Sequence, residues 1–226
     1  MESMLQILAF GDIHGEIEKL IRVLDHAFDR YDVDMILVAG DLNLGLSEIE
    51  DVFTRNKIPT FIIYGNHDDD LKPIYELRAY RYKNISFLRL GGVIRYKGVN
   101  ILGIPGNRGG GRKWTHWQDY KIKKIIEYQK DRKIDIVLSH EAPFGYSDEC
   151  GDHNRCGKPI LLDLIRVLRP RLFICGHLHN HIQISEFETT KIINTGAISN
   201  RWGEDSEYVY IRLNEEIVIE PHVLKE

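Results

Sequence analysis

Thr60-Phe61-Ile62-Ile63-Tyr64-Gly65-Asn66-His67-Asp68 is the stretch whose reading decides the fold. Residues 60–64 are apolar on both faces, as a strand buried between two layers must be. The run stops at Gly65, and the next three residues carry an amide, an imidazole and a carboxylate, groups that bind metal ions or move protons. Packing gives no reason for that order at a strand end. Asn66 can offer its carbonyl oxygen to an ion, while His67, pointing differently, is free to stand over a substrate as a proton donor. Asp69 and Asp70 are expected to open the next helix or to face solvent.

Four more segments repeat the construction. Residues 5–10, 35–39, 134–138 and 172–175 are short apolar runs. They precede Asp12-Ile13-His14, Gly40-Asp41, Ser139-His140-Glu141 and Gly176-His177-Leu178-His179. Asp12 and His14 are two apart, so in extended backbone both side chains project to one side and one ion can take both. The competing reading makes Asp12 a helix cap and His14 a surface residue. Asp41, after a glycine that permits a sharp turn, is chosen as the ligand shared by two ions, against the reading of Gly40-Asp41 as an ordinary turn. His140, ahead of Pro143, is assigned to the second ion, or else is a hydrogen-bonded loop residue. His177 and His179 straddle one residue directly after a buried strand, which packing does not explain, and His181 is expected outside the set. Oxygen and imidazole donors in this mixture suit two close divalent ions, and such a pair activates water toward phosphate esters.

Amphipathic stretches separate the runs. Residues 16–30 carry Ile17, Leu20, Ile21, Leu24 and Phe28 on one face. Residues 48–56 follow a Ser47/Glu50 capping box, and further helices are predicted over 122–128 and over 160–168, the last stopped by Pro170. Strand, ligand loop, helix is the repeated unit, and in an open sheet such loops converge at the carboxyl ends of the strands. A hairpin at Lys97-Gly98 and strands over 182–187, 191–194, 207–213 and 217–220 predict an antiparallel sheet built largely from the C-terminal part. Two sheets face to face with helices outside both account for the chain. Residues 1–226 then form one domain, because any cut between residues 12 and 179 splits the donor set.

A net charge of −4 argues against a surface that coats nucleic acid generally, while leaving room for a local basic patch. Three cysteines, an N-terminus unlike a signal peptide and no apolar run near 18 residues predict a soluble cytoplasmic protein that keeps clear of membranes. Isoleucine outnumbers leucine, which is compatible with a heat-adapted source. Cys150, His153 and Cys156 have a spacing that suits zinc but lack a fourth ligand nearby, so a mobile loop at the site's mouth is preferred. The glycines at 106–111 lack the Gly-Lys-Ser/Thr ending of a nucleotide loop and read instead as a flexible lid. Arg108, Arg112 and His153 are the candidates for touching substrate.

Asp-x-His at 12–14, Gly-Asp at 40–41, Gly-Asn-His-Asp at 65–68, His140 and Gly-His-x-His at 176–179 together resemble the calcineurin-like metallophosphoesterases, in order and over most of the chain. The resemblance implies an α/β fold, a four-layer αββα sandwich of two mixed β-sheets flanked by helices. It implies that Asp12, His14, Asp41 and His179 hold one ion and that Asp41, Asn66, His140 and His177 hold the other. Mn²⁺ is the expected occupant, with Fe or Zn²⁺ as alternatives. Gly40-Asp41-Leu42-Asn43-Leu44-Gly45 lacks the second aspartate and the arginine of the protein Ser/Thr phosphatase branch. The segment from His140 through Cys156 to His177 looks more like the phosphodiesterase-like branches. The expected activity is hydrolysis of a phosphomonoester or phosphodiester by a bridging hydroxide, with His67 as general acid and a small phosphate ester or nucleotide as substrate. One alternative is a nuclease acting on DNA or RNA, which needs a basic track the sequence does not clearly show. Another is a non-catalytic scaffold on the same fold, which is expected to have lost ligands.

Overall fold

Alternation along the first strand already assigns the layers. In β1 (Leu5–Phe10), Leu5, Ile7 and Ala9 join a core lying between two sheets, while Leu8 and Phe10 join a second core beneath helices. The structure, a computed structural model, describes residues 4–72, 81–109, 113–152, 154–199 and 205–225.

After β1 come α1 (Ile17–Phe28), β2 (Met35–Val38), α2 (Leu46–Phe53), β3 (Thr60–Ile62), β4 (Arg81–Tyr82) and β5 (Ile85–Phe87). The middle of the chain gives β6 (Val93–Tyr96), β7 (Val99–Ile104), β8 (Asn107–Arg108), β9 (His116–Trp117), α3 (Asp119–Gln129) and β10 (Ile136–Ser139). The remainder gives β11 (Glu149–Cys150), β12 (Asn154–Arg155), α4 (Pro159–Leu168), β13 (Leu172–Cys175), β14 (Gln183–Phe187), β15 (Thr190–Asn194), β16 (Ser206–Leu213) and β17 (Ile217–Leu224).

The first sheet runs β17-β16-β1-β2-β3-β5-β4 and the second β14-β15-β13-β10-β7-β6. Each is parallel in its middle and antiparallel at its edges. Inner residues such as Leu37, Ile63, Ile136 and Ile174 fill the space between the sheets. Leu20, Val23, Ile49 and Phe53 of α1 and α2 cover the outside of the first sheet, and Ile122, Leu161, Leu164 and Ile165 of α3 and α4 cover the outside of the second. The expected αββα sandwich of two mixed sheets is therefore the fold.

Two expectations need correction. The C-terminal strands do not form an antiparallel sheet of their own. β16 is buried on both faces for nearly its whole length, so it needs cover on both sides and finds it by pairing with β1 in the first sheet. The buried β15 likewise pairs with β13 in the second. Helix α2 starts at Leu46, ahead of the Ser47/Glu50 box, with Gly45 as its cap residue and the Glu48 carboxylate accepting the Gly45 N–H at 2.7 Å.

Candidate metal centre

β1, β2, β3, β10 and β13 all end at one edge of the sandwich, where the two sheets' loops meet. The first two loops are zipped together: Asp12 N–H donates to Gly40 C=O at 2.9 Å, His14 N–H to Asp41 C=O at 3.0 Å and Gly15 N–H to Leu42 C=O at 2.9 Å. Asp12, His14, Asp41 and His177 have φ of 51°, 49°, 52° and 69°. The extended backbone expected over residues 12–14 is thus absent. Left-handed backbone at residues with a Cβ costs on the order of 1–3 kcal/mol each, and such strain concentrates where geometry serves a site.

These turns gather the donors into two groups. Asp12, His14, Asp41 and His179 form one and Asp41, His140 and His177 the other, with ligand atoms in each group lying within 4.8 Å of one another. Asp41 belongs to both. In the first group His179 Nε2 is 3.0 Å from both Asp12 Oδ1 and His14 Nε2. In the second, His140 Nε2 is 3.4 Å from Asp41 Oδ2 and 3.1 Å from Asn66 Oδ1. The His140 and His177 ring centroids are 4.8 Å apart. Imidazole nitrogens and carboxyl oxygens directed at common points become, once the imidazoles give up their inward protons, acceptors facing acceptors. A cation at each point satisfies them, so the donor chemistry fits two divalent ions.

Surrounding contacts hold each donor in that direction. His140 Nδ1–H donates to Ala39 C=O at 2.8 Å, which turns Nε2 toward Asp41 and Asn66 as the nitrogen available to an ion. The Asp12 and Asp41 carboxylates each accept a backbone N–H at 2.8 Å, from His177 and His67 respectively. These contacts explain two of the motif glycines. A Cβ on Gly65 falls 2.0 Å from Asp41 Oδ1, and one on Gly176 falls 2.4 Å from Asp12 Oδ2. Asp68, buried, accepts Gly65 N–H at 2.7 Å and Asn43 N–H at 2.8 Å, tying the Asp41 loop to the Asn66 loop. It is a positioning residue to which sequence reading gave no role, although it completes the Gly-Asn-His-Asp run.

Charge is unevenly shared. Burial works against a proton on His140, but Asp41, and behind it Asp12, raise its pKa to about 10. Burial also opposes ionisation of Asp41, yet the His140 imidazolium keeps its carboxyl well below the usual range. Burial lowers His177 to about 4, its hydrogen bond to Asp12 raises His179, and burial with the Asp41 charge lifts Asp68 to about 6.

His67 belongs to neither donor group. Its side chain is exposed, with its ring centroid 5.4 Å from that of His14. Arg108 points elsewhere: its Nη2 donates to Asp119 at 3.1 Å, with Nε on the other oxygen, while its backbone N–H donates to Glu141. Among the described residues of that segment Lys113 is the cation that reaches the centre, 2.7 Å from Asn66 C=O, and only the fold could single it out from Arg108. Arg112 and His153 lie outside the described residues. Cys150 and Cys156 are joined by a disulfide, with Cα atoms 6.0 Å apart, which removes the zinc reading; Cys175 is free and buried. Among the described residues no helix is long and apolar enough to cross a membrane.

Two sheets between helix layers, with carboxylate and imidazole donors at the strand ends, define a metal-dependent phosphoesterase architecture. The chain belongs to the calcineurin-like phosphoesterase family, whose model matches residues 5–181. The lariat debranching enzyme of Arabidopsis thaliana is 24% identical over 77% of this chain and 54% of its own length. That of Homo sapiens is 26% identical over 77% of this chain and 42% of its own length. The chain thus spans about half of these relatives. Among solved structures, a protein of Thermus thermophilus superposes with a TM-score of 0.70 at 16% identity, covering 96% of this chain and 99% of that one. A dimetal phosphatase of Danio rerio gives 0.65 at 11% identity, with 98% of each chain covered.

Proposed function

We propose that the protein hydrolyses phosphodiesters with two divalent ions. The observation that carries this reading is a single carboxylate, Asp41, common to two complete donor groups. Asp12, His14, Asp41 and His179 would hold one ion, and Asp41, Asn66, His140 and His177 the other, Mn²⁺ ahead of Fe or Zn²⁺. When bound, such a pair lowers the pKa of water and offsets charge on phosphoryl oxygens. The chain's own residues do the rest. The His140–Ala39 bond keeps the His140 Nε2 facing inward, and Asp68 fixes the spacing of the Asp41 and Asn66 loops. His67, exposed beside His14, would give a proton to the departing alkoxide. The scaffold alternative loses ground because no donor position has been vacated.

The curated relatives favour one finer reading, a nucleic-acid phosphodiester as substrate, over the small phosphate ester or nucleotide expected from the sequence. It is supported by similarity to enzymes named for debranching lariats. Residues 1–226 are taken as one domain, because β16 and β17 complete the sheet that β1 begins. The cytoplasmic reading now meets the Cys150–Cys156 disulfide, a feature of oxidising compartments or of heat-adapted cells. Thiol titration of denatured, unreduced protein is expected to find Cys175 alone.

The test is turnover by the Mn²⁺-loaded protein of a nitrophenyl diester, the corresponding monoester and a branched oligonucleotide. Diester hydrolysis abolished by chelation supports the proposal. Hydrolysis of the monoester alone, or of nothing, contradicts it.

A further inference from the structure

Helix α3 buries Ile122 and Gln129 and packs Ile125 and Ile126 on the core outside the second sheet, while Tyr120, Lys121, Lys123, Lys124, Glu127 and Tyr128 are exposed. Residues 119–133 include six Lys or Arg against three acidic residues, a local excess in a chain of net charge −4. Lys130 pairs with Glu127 and Lys133 with Asp135, while among the described residues no ion pair engages Lys121, Lys123 or Lys124. Between these cations stand two exposed rings, Tyr120 at 51% and Tyr128 at 68% exposure. Tyr120, Lys124 and Tyr128 are spaced i, i+4, i+8 and so form one stripe, with the tyrosines about 12 Å apart along the axis. Lys124 Nζ sits 5.6 Å from the Tyr120 ring centroid, and Arg132 packs 4.9 Å from that of Tyr128.

At the N-terminal end of the stripe is a cavity of about 600 Å³ lined by Arg108, Trp117, Gln118, Asp119 and Tyr120, among others. Trp117 is buried, and its Nε1–H finds no acceptor in the protein among the described residues. The same short segment reaches the metal centre. Arg108 N–H bonds to Glu141, the neighbour of His140, and Lys113 bonds to the carbonyl of Asn66.

We propose that the outer face of α3, with the cavity at its N-terminal end, is the track of a single nucleic-acid strand: phosphates on Lys121 and Lys124, bases on Tyr120 and Tyr128. This rests on the nucleic-acid reading of the metal centre and extends it to a surface outside the donor set. Basic side chains interleaved with exposed aromatic rings are what unpaired strands require, since every base offers a π face for stacking and every phosphate a charge. A duplex hides those faces. An anionic membrane offers the charge too, but a helix that lies in a membrane inserts an apolar face, and the apolar face of α3 is already buried in the core.

The experiment measures binding of labelled oligothymidylate of about 15 nucleotides to the full-length, Mn²⁺-loaded chain by fluorescence anisotropy, with the bound strand checked intact on a gel. A duplex of the same length and vesicles containing phosphatidylserine serve as comparators. The single strand should bind more tightly than the duplex, and affinity should fall with salt. Lys121→Gln with Lys124→Gln should flatten the slope of log K against log salt by about 1.4, at about 0.7 for each phosphate left without its cation. Tyr120→Ala and Tyr128→Ala should each weaken binding roughly five- to hundredfold, with Tyr→Phe at either position restoring it because the ring is retained. These are exposed positions, and melting curves check the fold of each variant.

Variants that bind like the parent, a duplex bound as tightly as the single strand, or vesicles bound in place of oligonucleotides overturn the track. Diester turnover by the parent protein is read separately. Oligonucleotide binding without turnover contradicts the phosphoesterase reading and leaves the track standing; turnover without binding does the reverse.

Discussion

Two histidine clusters lie on this sandwich, and they are satisfied in opposite ways. At the strand ends His14, His140, His177 and His179 converge with Asp12 and Asp41, imidazole facing imidazole and carboxylate. On the outside of the first sheet His26 and His222 lie among tyrosines. There His26 Nδ1 meets Tyr208 Oη at 2.7 Å, and His222 Nε2 meets Tyr31 Oη at 2.8 Å, with the Tyr31 hydroxyl donating to Glu220 at 3.1 Å. His222 also stacks on Tyr208, and Tyr31 on Tyr210. In that second cluster the Tyr31 and Tyr208 hydroxyls each meet an imidazole nitrogen, so those contacts close without an ion. The first becomes complete with cations. Convergence of ligand atoms on common points, and not the count of histidines, marks a metal centre.

The sharpest way to break this contrast removes no donor. Gly65→Ala places a Cβ where Asp41 Oδ1 lies, 2.0 Å away, so the shared carboxylate must move. Metal assistance is worth several kcal/mol, so turnover should drop by roughly 10³-fold, with ion content falling too. Normal activity in Gly65→Ala would mean that the position of Asp41 is unimportant. His67→Ala should cost about 10²-fold or more on an alkyl ester and much less on a nitrophenyl ester, whose leaving group needs little protonation. Ion content should stay near that of the parent. Equal losses on both esters, or lost metal, would remove the proton-donor role.

Smaller effects separate the clusters by pH. In the metal-free protein His140, with its pKa raised to about 10, is protonated at neutral pH, so an ion must displace that proton. Affinity should rise with pH, and calorimetric heats should differ between buffers of different ionisation enthalpy; identical heats would contradict proton release. In the second cluster burial lowers both His26 and His222. A folded pKa below the unfolded value of 6.5 means that the unfolded chain binds more protons there, so stability is full above about pH 6.5 and lost as pH falls below it. His222→Phe keeps the stacking but removes the Tyr31 contact. It should cost on the order of 1 kcal/mol at pH 7, reduce the acid sensitivity of melting and leave the ions untouched.

The donors were legible because each stands just past an apolar run, where few residues other than ligands explain an imidazole or an amide. Layer order followed from strands hydrophobic on both faces, whereas the partners of β15 and β16 did not. The left-handed turns at Asp12, His14 and Asp41 were not legible, since they depend on bonds between loops about thirty residues apart. Lys113 could not be told from Arg108, because their different reach is set by where β8 and β9 pair. β16 reads as part of a C-terminal antiparallel sheet until its pairing with β1 is known. Disulfide pairing of Cys150 with Cys156 needs the hairpin of β11 and β12, two residues each, too short to leave a periodic signal.

Elemental analysis of the Mn²⁺-reconstituted protein beside Asp41→Ala tests the shared carboxylate most directly. Two ions per chain in the parent, with occupancy of both positions impaired in the variant, is the expected result. One ion or fewer in the parent, or two tightly held ions in Asp41→Ala, would contradict it.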